Sequence, residues 1–159
     1  MQEIVNIRID ERLIHGQVGA IWTNTLSANR IMVIDDAVIN DDLQKVVLKM
    51  ACPAGVKLSI LSIEKAAANL LAGKYENERV FIVLKGPEVL RKLWDLGFHM
   101  TEVTVGNMSN SAETEQLRRT VNVSKQDVED FKELGKRGVK FFIQMVPNEE
   151  KVDLIALLK

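Results

Sequence analysis

RVFIVL, residues 79–84, is the strongest strand signal in this sequence, and Lys85 and Gly86-Pro87 follow it directly. A short run without polar alternation is typical of a strand that is covered on both faces. Proline fits the first turn of a helix, so Pro87 predicts a helix that reaches Leu96 and stops at Gly97. The stretch is therefore one strand followed by one helix, which is the repeating unit of α/β proteins.

The same unit recurs on both sides of this stretch. Further strands are predicted at Ile4–Ile9, Ile31–Ile34, Val56–Leu61, Glu102–Val105, Val121–Val123 and Val139–Met145. Further helices are predicted at Gly16–Leu26, from a cap at Asn40 or Asp41 to just before Pro53, and at Ser62–Leu71, Ser124–Leu134 and Asn148–Leu158. The second of these helices has its apolar positions at Leu43, Val46, Val47 and Met50, and the polar segment Asn110–Thr120 is predicted as a loop. The alternation predicts a single α/β domain over residues 1–159, with a mostly parallel central sheet flanked by helices on both faces.

The composition of the chain narrows the classes of function that it can have. Lys and Arg total 21 against 22 Asp and Glu, giving a net charge of -1. This balance disfavours nucleic acid as a partner, because such proteins usually carry a basic face. Cys52 is the only cysteine, so no intrachain disulfide forms. The acidic start differs from a signal peptide, and no run of about 18 apolar residues exists, so a cytoplasmic protein without a spanning helix is expected.

The stretch RIDERLIHGQV, residues 8–18, is the candidate site. It places His15 at a turn from strand to helix, where free N–H groups favour an anion. Imidazole can act as a neutral nucleophile near neutral pH, and the guanidinium groups of Arg8 and Arg12 are suited to phosphate. Gly16 lets a ligand approach the backbone closely. These features favour phosphoryl transfer.

Structural interpretations of the same residues remain open at this point. His15 can simply be a hydrogen-bonded histidine that supports the turn, and both arginines can be surface ion-pair residues, paired with Asp10 or Glu11. Asp10 or Asp35 can orient the imidazole, but each can equally well cap a helix. The turn from Gly106 through Asn107 to Ser109 is either a second wall of the site or only a tight turn.

Other chemistries lack their motifs. His15, His99 and Cys52 show no recognised metal-ligand spacing, so no metal is expected. The sequence also contains neither G-x-x-x-x-G-K-[ST] nor G-x-G-x-x-G, so no nucleotide cofactor is expected. Sites of open α/β sheets lie at the carboxyl ends of strands, where the turns that follow several strands can meet.

RIDERLIHGQV, with the Trp22 helix behind it, resembles the active-site signature of phosphotransferase-system (PTS) IIB components of the mannose–fructose–sorbose family. The resemblance continues through IDDAVINDD, ACPAGVKL, VFIVLKGPEVL, VGNM and VPNEEKVDL, and so covers nearly the whole chain. It implies a parallel sheet flanked by helices, with His15 as the phosphorylated nucleophile and with Arg8 and Arg12 as phosphate-binding groups.

The resemblance also implies partners. A phosphorylated IIA protein would be the donor, and a sugar carried by the membrane IIC and IID components would be the acceptor. Peripheral association with the membrane through IIC and IID, and a homodimer, are further expectations by analogy with the family. Asn107 resembles the N-acetylgalactosamine or galactosamine branch, whereas Ser109 replaces a histidine that many members carry. An amino sugar is thus slightly favoured over mannose, fructose or sorbose.

Two other functions fit the same residues. The chain can be a regulatory relay that is phosphorylated on His15 and reports sugar supply to a partner. It can also be a non-catalytic α/β module that only holds an anion between Arg8 and Arg12.

Overall fold

A central sheet with helices on both faces forms the protein. The computed structural model describes residues 2–158, apart from the side chains of Gln17 and Val18. Met1 and Lys159, the ends of the predicted domain, lie outside the described residues. The strands are β1 (Glu3–Asp10), β2 (Arg30–Ile34), β3 (Lys57–Leu61), β4 (Arg79–Leu84), β5 (Glu102–Asn107), β6 (Glu115–Arg118), β7 (Val121–Val123), β8 (Lys140–Ile143) and β9 (Val152–Asp153). The helices are α1 (Gly16–Leu26), α2 (Asp42–Ala51), α3 (Ile63–Leu71), α4 (Pro87–Asp95) and α5 (Lys125–Lys136), with short 3-10 turns at Val38–Asn40 and Ile155–Leu157.

Within residues 2–158, seven strands form the main sheet, in the order β3-β2-β4-β1-β5-β8-β9, and β6 and β7 form a separate hairpin. All neighbours in the main sheet are parallel except β8 and β9. The predicted fold class, an α/β domain with a mostly parallel sheet, is confirmed.

The direction of the crossovers decides which face each helix covers. The chain moves from β1 through α1 and α2 to the edge strand β3, and then returns across the sheet through α3, α4 and α5. Because such crossovers are right-handed, the two directions place helices on opposite faces. The buried side chains accordingly form two clusters, one under α1 and α2 and one under α3, α4 and α5.

This topology also places the site. α1 leaves β1 toward one face, whereas α4 leaves the neighbouring strand β4 toward the other. A crevice forms at the carboxyl ends of two such strands, which is where open α/β sheets bind ligands. The turn from Asp10 to His15 and the turn at Lys85-Gly86 border this crevice.

Local signals give most element boundaries correctly. Asp41 caps α2 by accepting from the Gln44 amide, and Ser62 caps α3 by accepting from Lys65. Ser124 and Asp127 form the predicted capping box of α5, although that helix runs past Gly135 to Lys136. Each of these caps satisfies an N–H group that the helix itself leaves without a partner.

Three predictions of local structure are wrong. The segment Asn110–Thr120 is not all loop, because β6 pairs with β7 and Thr120 bonds to Gly106 and Met108 of the neighbouring strand end. Residues 102–107 form one strand, so Gly106 and Asn107 belong to β5 and not to a turn.

The predicted last helix, Asn148–Leu158, is also absent. Val152 pairs with Ile143, and the Asp153 carboxylate accepts from the amide of Ile155, which leaves only one 3-10 turn. A short helix is marginal by itself, so pairing with the open edge of β8 prevails.

Candidate functional site

The turn after β1 has an unusual backbone. Leu13 has a positive φ of 61°, which is uncommon for a residue with a bulky side chain. The side chains of Leu13 and Ile14 are both buried in the cluster under α1 and α2, and this packing holds the turn. Strained backbone that is fixed by its surroundings is often found at functional sites.

His15 is the N-cap residue of α1 and is exposed to solvent. Its side chain makes no capping hydrogen bond, and no described residue bonds to its imidazole. Gly16, with φ at 45°, follows it and opens the helix. An exposed imidazole therefore lies beside the free N–H groups and the positive end of the helix dipole, which together favour a phosphate.

Arg12 is held by Asp10. The guanidinium donates from Nε to Asp10 Oδ1 at 3.1 Å and from Nη2 to Oδ2 at 3.2 Å. The Arg12 amide also donates to Oδ1, at 3.0 Å. Asp10 is buried, whereas a third of the Arg12 side chain is exposed. The carboxylate thus fixes a cation that still reaches solvent, as an anion site requires.

Arg8 is placed differently. Its side chain is only 3% exposed, and it donates to the carbonyls of Gln144 at 2.9 Å and Met145 at 3.0 Å. The guanidinium lies over the Trp22 ring and 3.8 Å from Asp10. Burial lowers the pKa of Arg8 to about 10, and the Asp10 charge opposes that effect, so the group stays protonated at neutral pH. Arg8 therefore ties β1 to the loop after β8.

That loop, residues 144–149, is a wall of the site that the sequence analysis missed. The Gln144 amide donates to the carbonyls of Pro147 and Glu149, and Trp22 Nε1 donates to the Met145 carbonyl at 2.8 Å. Met145 Sδ lies 3.8 Å from Arg8 Nη2 and 3.9 Å from Arg12 Nη2. The loop carries few residues of the types that usually act in catalysis. Its contacts to β1 and α1 join residues far apart in the chain, so no local sequence pattern indicates that it borders the site.

Asp35 caps a turn. Its Oδ1 accepts from the amides of Ala37 and Val38, and Oδ2 lies 3.7 Å from Lys85 Nζ. Of the two roles left open for this carboxylate, capping is the one that forms. Among the described residues, neither Asp35 nor Asp10 bonds to His15.

The residues Gly106, Asn107 and Ser109 have different surroundings. A Cβ atom on the buried Gly106 would overlap the Arg8 guanidinium, at 2.9 Å from Nε and closer still to Cζ. Asn107 is half-buried and lies beside the active turn, since its carbonyl accepts from the Glu11 amide at 3.0 Å. Ser109 is exposed. Gly106 thus makes room for Arg8, and Asn107 adjoins the turn through its backbone.

Within residues 2–158, Arg8, Asp10, His15 and Trp22 line one small cavity, and Arg12 does not line it. Within residues 2–158 there is no cluster of three or more His, Cys, Asp or Glu side chains that could hold a metal ion. The arrangement offers an exposed nucleophile, a helix N-terminus and a fixed guanidinium, which are the elements that phosphoryl transfer uses.

Comparison with known proteins gives one family. Residues 4–159 match the model of the PTS system sorbose subfamily IIB component. The chain is 38% identical over 149 residues to the N-acetylgalactosamine-specific phosphotransferase enzyme IIB component 1 of Escherichia coli K12, covering 93% of this chain and 94% of that protein.

Two further relatives extend this finding. The mannose-specific EIIAB component of Escherichia coli K12 is 33% identical over 151 residues, which cover 95% of this chain and 47% of that protein. The crystal structure of the IIBSor domain of the sorbose permease from Klebsiella pneumoniae superposes with a TM-score of 0.93 at 33% identity, covering 98% of this chain and 95% of that one. The match therefore holds for sequence and for fold over nearly the full length.

Proposed function

The chain belongs to the sorbose subfamily of PTS IIB components, which are sugar-specific phosphotransferases, and we propose that His15 is its phosphoryl carrier. The donor is a phosphorylated IIA protein, and the acceptor is a sugar carried by the membrane IIC and IID components. The observation that supports this proposal best is the exposed imidazole at the N-terminus of α1, which lines one cavity with Asp10, the carboxylate that fixes Arg12.

The chemistry consists of two displacements at phosphorus. In the first, a His15 ring nitrogen attacks the phosphorus of the donor phosphohistidine, so that one N–P bond forms as the other breaks. In the second, a sugar hydroxyl oxygen attacks, the N–P bond on His15 breaks, and the hydroxyl proton passes to a base or to water. Negative charge spreads over the three phosphoryl oxygens in each transition state, which is why positioned cations and N–H groups accelerate such steps.

The two arginines have separate roles in this proposal. Arg12 contacts the phosphoryl group, because it is partly exposed and its fork is oriented by Asp10. Arg8 is a positioning residue, because its guanidinium is buried and donates to the carbonyls of Gln144 and Met145. Gly16 contributes its backbone at the start of α1.

Partners and substrate follow from the family. PTS IIB components of this kind act with IIA and with membrane IIC and IID proteins, and the EIIAB name of the mannose relative joins A and B components in one protein. None of the helices within residues 2–158 is both long and apolar enough to cross a bilayer. We propose a cytoplasmic protein that reaches the membrane through IIC and IID, and an amino sugar such as N-acetylgalactosamine as the acceptor, in keeping with Asn107 and with the 38% identical relative.

Transfer of radiolabelled phosphate tests the proposal. The parent protein should accept label from phospho-IIA and lose it when a sugar is added with membranes that contain IIC and IID. His15→Ala should accept no label, and His99→Ala is the matched control, since His99 is also exposed but stacks on Trp94. A hexose and amino-sugar panel then identifies the acceptor.

The two alternatives give different results. Label that reaches His15 but never leaves for any sugar would identify a regulatory relay. A parent protein that accepts no label would identify a non-catalytic anion-binding module. Label in the His15→Ala protein would place the carrier at another residue.

A further inference from the structure

The sulfur of Met145 lies within reach of both arginines of the site. Its Sδ atom accepts from Arg8 Nη2 at 3.8 Å and from Arg12 Nη2 at 3.9 Å. A thioether sulfur is a weak acceptor, so it holds these N–H groups only loosely. Arg12 Nη2 also donates to Asp10 Oδ2 at 3.2 Å, and its remaining donor capacity is open to a stronger acceptor such as a phosphoryl oxygen.

The backbone of Met145 keeps the side chain at this position. Its carbonyl accepts from Arg8 Nη2 at 3.0 Å and from Trp22 Nε1 at 2.8 Å. Its amide donates to Glu149 Oε2 at 3.0 Å. Because both backbone groups are held, a chemical change at the sulfur acts on the arginines and is not absorbed by a shift of the loop.

Met145 is also open to small molecules from solvent. The residue is half-buried, and it lines an open cleft of about 430 Å³ together with Arg118, Arg119 and Thr120. A small oxidant can therefore enter beside the side chain without any opening of the fold.

The other described methionines lack one of these two properties. Met32 is 0% exposed, Met108 2% and Met100 4%, so solvent does not reach them. Met50 is 81% exposed, but it lies on α2, away from both arginines. Met145 thus combines access from solvent with contact to the arginines of the site.

We propose that Met145 is a site of oxidative modification, at which a hydroperoxide converts the thioether to the sulfoxide and thereby slows phosphoryl transfer. The effect on transfer rests on the function proposed above. In the oxidation a sulfur lone pair attacks one peroxide oxygen, so that an S–O bond forms as the O–O bond breaks. Sulfur loses two electrons, and the leaving oxygen takes up the proton of the attacked one, which gives an alcohol or, from hydrogen peroxide, water.

The sulfoxide slows transfer because of where its oxygen lies. Oxidation turns an apolar side chain into a polar one, and its oxygen accepts hydrogen bonds far more strongly than sulfur does. The sulfur is already 3.9 Å from Arg12 Nη2, so the added oxygen reaches that guanidinium. It then competes with the phosphoryl oxygens for the same donors. Methionine sulfoxide reductases restore the thioether, so the modification is reversible.

Mass spectrometry after brief exposure to hydrogen peroxide tests the modification itself. Met50 and Met145 should each gain one oxygen, whereas Met32, Met100 and Met108 should stay reduced because they are buried. A Met145 that stays reduced after Met50 is fully oxidised would overturn the proposal.

Transfer kinetics test the consequence. The peroxide is removed before phospho-IIA is added, and the rate of label transfer to each oxidised protein is divided by the rate for the same protein before treatment. This ratio should fall roughly tenfold for the parent and for Met50→Leu, less than removal of a positioned donor causes, because the Arg12 guanidinium is engaged but still present. Met145→Leu has no sulfur at this position and should keep its own rate.

Reversal separates Met145 from the single cysteine. A methionine sulfoxide reductase supplied with dithiothreitol should restore the rate of the oxidised parent. Dithiothreitol alone, which reduces a sulfenic acid or a disulfide at Cys52, should not restore it. Recovery with dithiothreitol alone would assign the loss to Cys52 and overturn the proposal.

Two further kinetic results would contradict the effect on transfer. One is an unchanged rate for a parent whose Met145 is fully oxidised, and the other is an equal loss in oxidised Met145→Leu. A parent that accepts no label even before treatment would instead overturn the proposed function, and the mass spectrum would then still decide whether Met145 is modified.

Discussion

Asp10 lies between Arg8 and Arg12. The sequence gives both arginines the same candidate role toward phosphate, but their surroundings in the fold differ. Its carboxylate binds the Arg12 guanidinium through two hydrogen bonds, and it lies 3.8 Å from Arg8. A buried carboxylate is costly unless it is paired and hydrogen-bonded, and here it is both. The residue thereby neutralises the buried Arg8 and aims Arg12 at the surface.

Arg12→Ala should slow transfer of phosphate to His15 roughly 100-fold, in line with the loss of one positioned donor at a developing charge. The free energy of unfolding should fall by about 1–3 kcal/mol, because the buried Asp10 carboxylate loses two hydrogen bonds but keeps the residue 12 amide and the nearby Arg8. Rapid-quench kinetics and urea unfolding measure the two effects. Arg137→Ala, which removes an arginine that pairs with Asp95 and Glu133 on the opposite face, should keep the parent rate. An unchanged rate for Arg12→Ala would remove Arg12 from the mechanism.

Gly106→Ala should disturb the site through its contact with Arg8. The added Cβ would overlap the Arg8 guanidinium, which packing and two carbonyl bonds hold in place. Overpacking of this kind costs about 1–3 kcal/mol, so the midpoint of urea unfolding should fall and transfer should slow with it. Gly86→Ala is the control, because nothing lies within 4 Å of a Cβ there and the change should cost less than about 1 kcal/mol.

A double-mutant cycle identifies the cause. If the clash with Arg8 is responsible, Gly106→Ala should cost less in an Arg8→Ala background than in the parent chain. Equal costs in both backgrounds would mean that the alanine acts on the backbone of β5 and not on the guanidinium.

At the scale of elements, one acidic side chain joins three neighbouring strands at their amino ends. Glu78, directly before β4, accepts from Arg30 of β2 at 2.6 and 3.0 Å and from Lys57 of β3 at 2.9 Å. The hydrogen bonds from Arg30 are the main cause that lowers the pKa of Glu78 to about 2. The charged form is therefore the one that stabilises the folded sheet.

The sign of the pH dependence follows from that shift. A carboxylate with a lowered pKa in the fold adds stability above its ordinary value of 4.5, and this contribution is lost as the pH falls toward 2. Glu78→Gln should lower the free energy of unfolding by about 2 kcal/mol near pH 7, and the difference from the parent should shrink below about pH 4.5. Urea unfolding at several pH values measures it. A difference that stays constant down to about pH 3 would contradict the ion-pair explanation.

Sequence signals predict elements well where the deciding contacts are local. The caps at Asp41, Ser62 and Ser124 involve residues three positions apart, so the pattern contains the whole interaction. The predicted helix at Asn148–Leu158 is absent because β9 pairs with β8, and that contact is not visible in a local pattern. Strand β7 lies where it is predicted, but its partner β6 falls in the predicted loop, and the hairpin is tied by bonds from Thr120 and Asn122 to Gly106 and Met108.

At the scale of the whole molecule, the two core clusters share one sheet. Each strand sends alternate side chains to opposite faces, so Phe81 packs under α1 and α2 while Ile82 packs under the other three helices. If the helices on one face of the sheet unfolded, the strands they cover would be exposed, and those same strands carry the side chains of the other cluster. The chain should therefore unfold as one cooperative unit.

The two tryptophans report on the two faces. Trp22 belongs to the cluster under α1 and α2, and Trp94 packs against the opposite cluster. Trp22→Phe and Trp94→Phe leave one reporter each, and within each variant the fluorescence and circular-dichroism transitions in urea should coincide. Separate midpoints for the two probes in either variant would show that one face unfolds first.

The sequence by itself determined the α/β class, most element boundaries and the turn that carries His15, because hydrophobic periodicity, caps and short motifs are local properties of the chain. The tertiary structure decided which of two similar arginines is buried, and it brought the loop at 144–149 to the site. It also turned the predicted apolar positions of α2 to solvent, namely Leu43, Val46, Val47 and Met50. These features depend on contacts between residues far apart in the chain and on which face of each helix meets the sheet. A local sequence pattern determines neither of them.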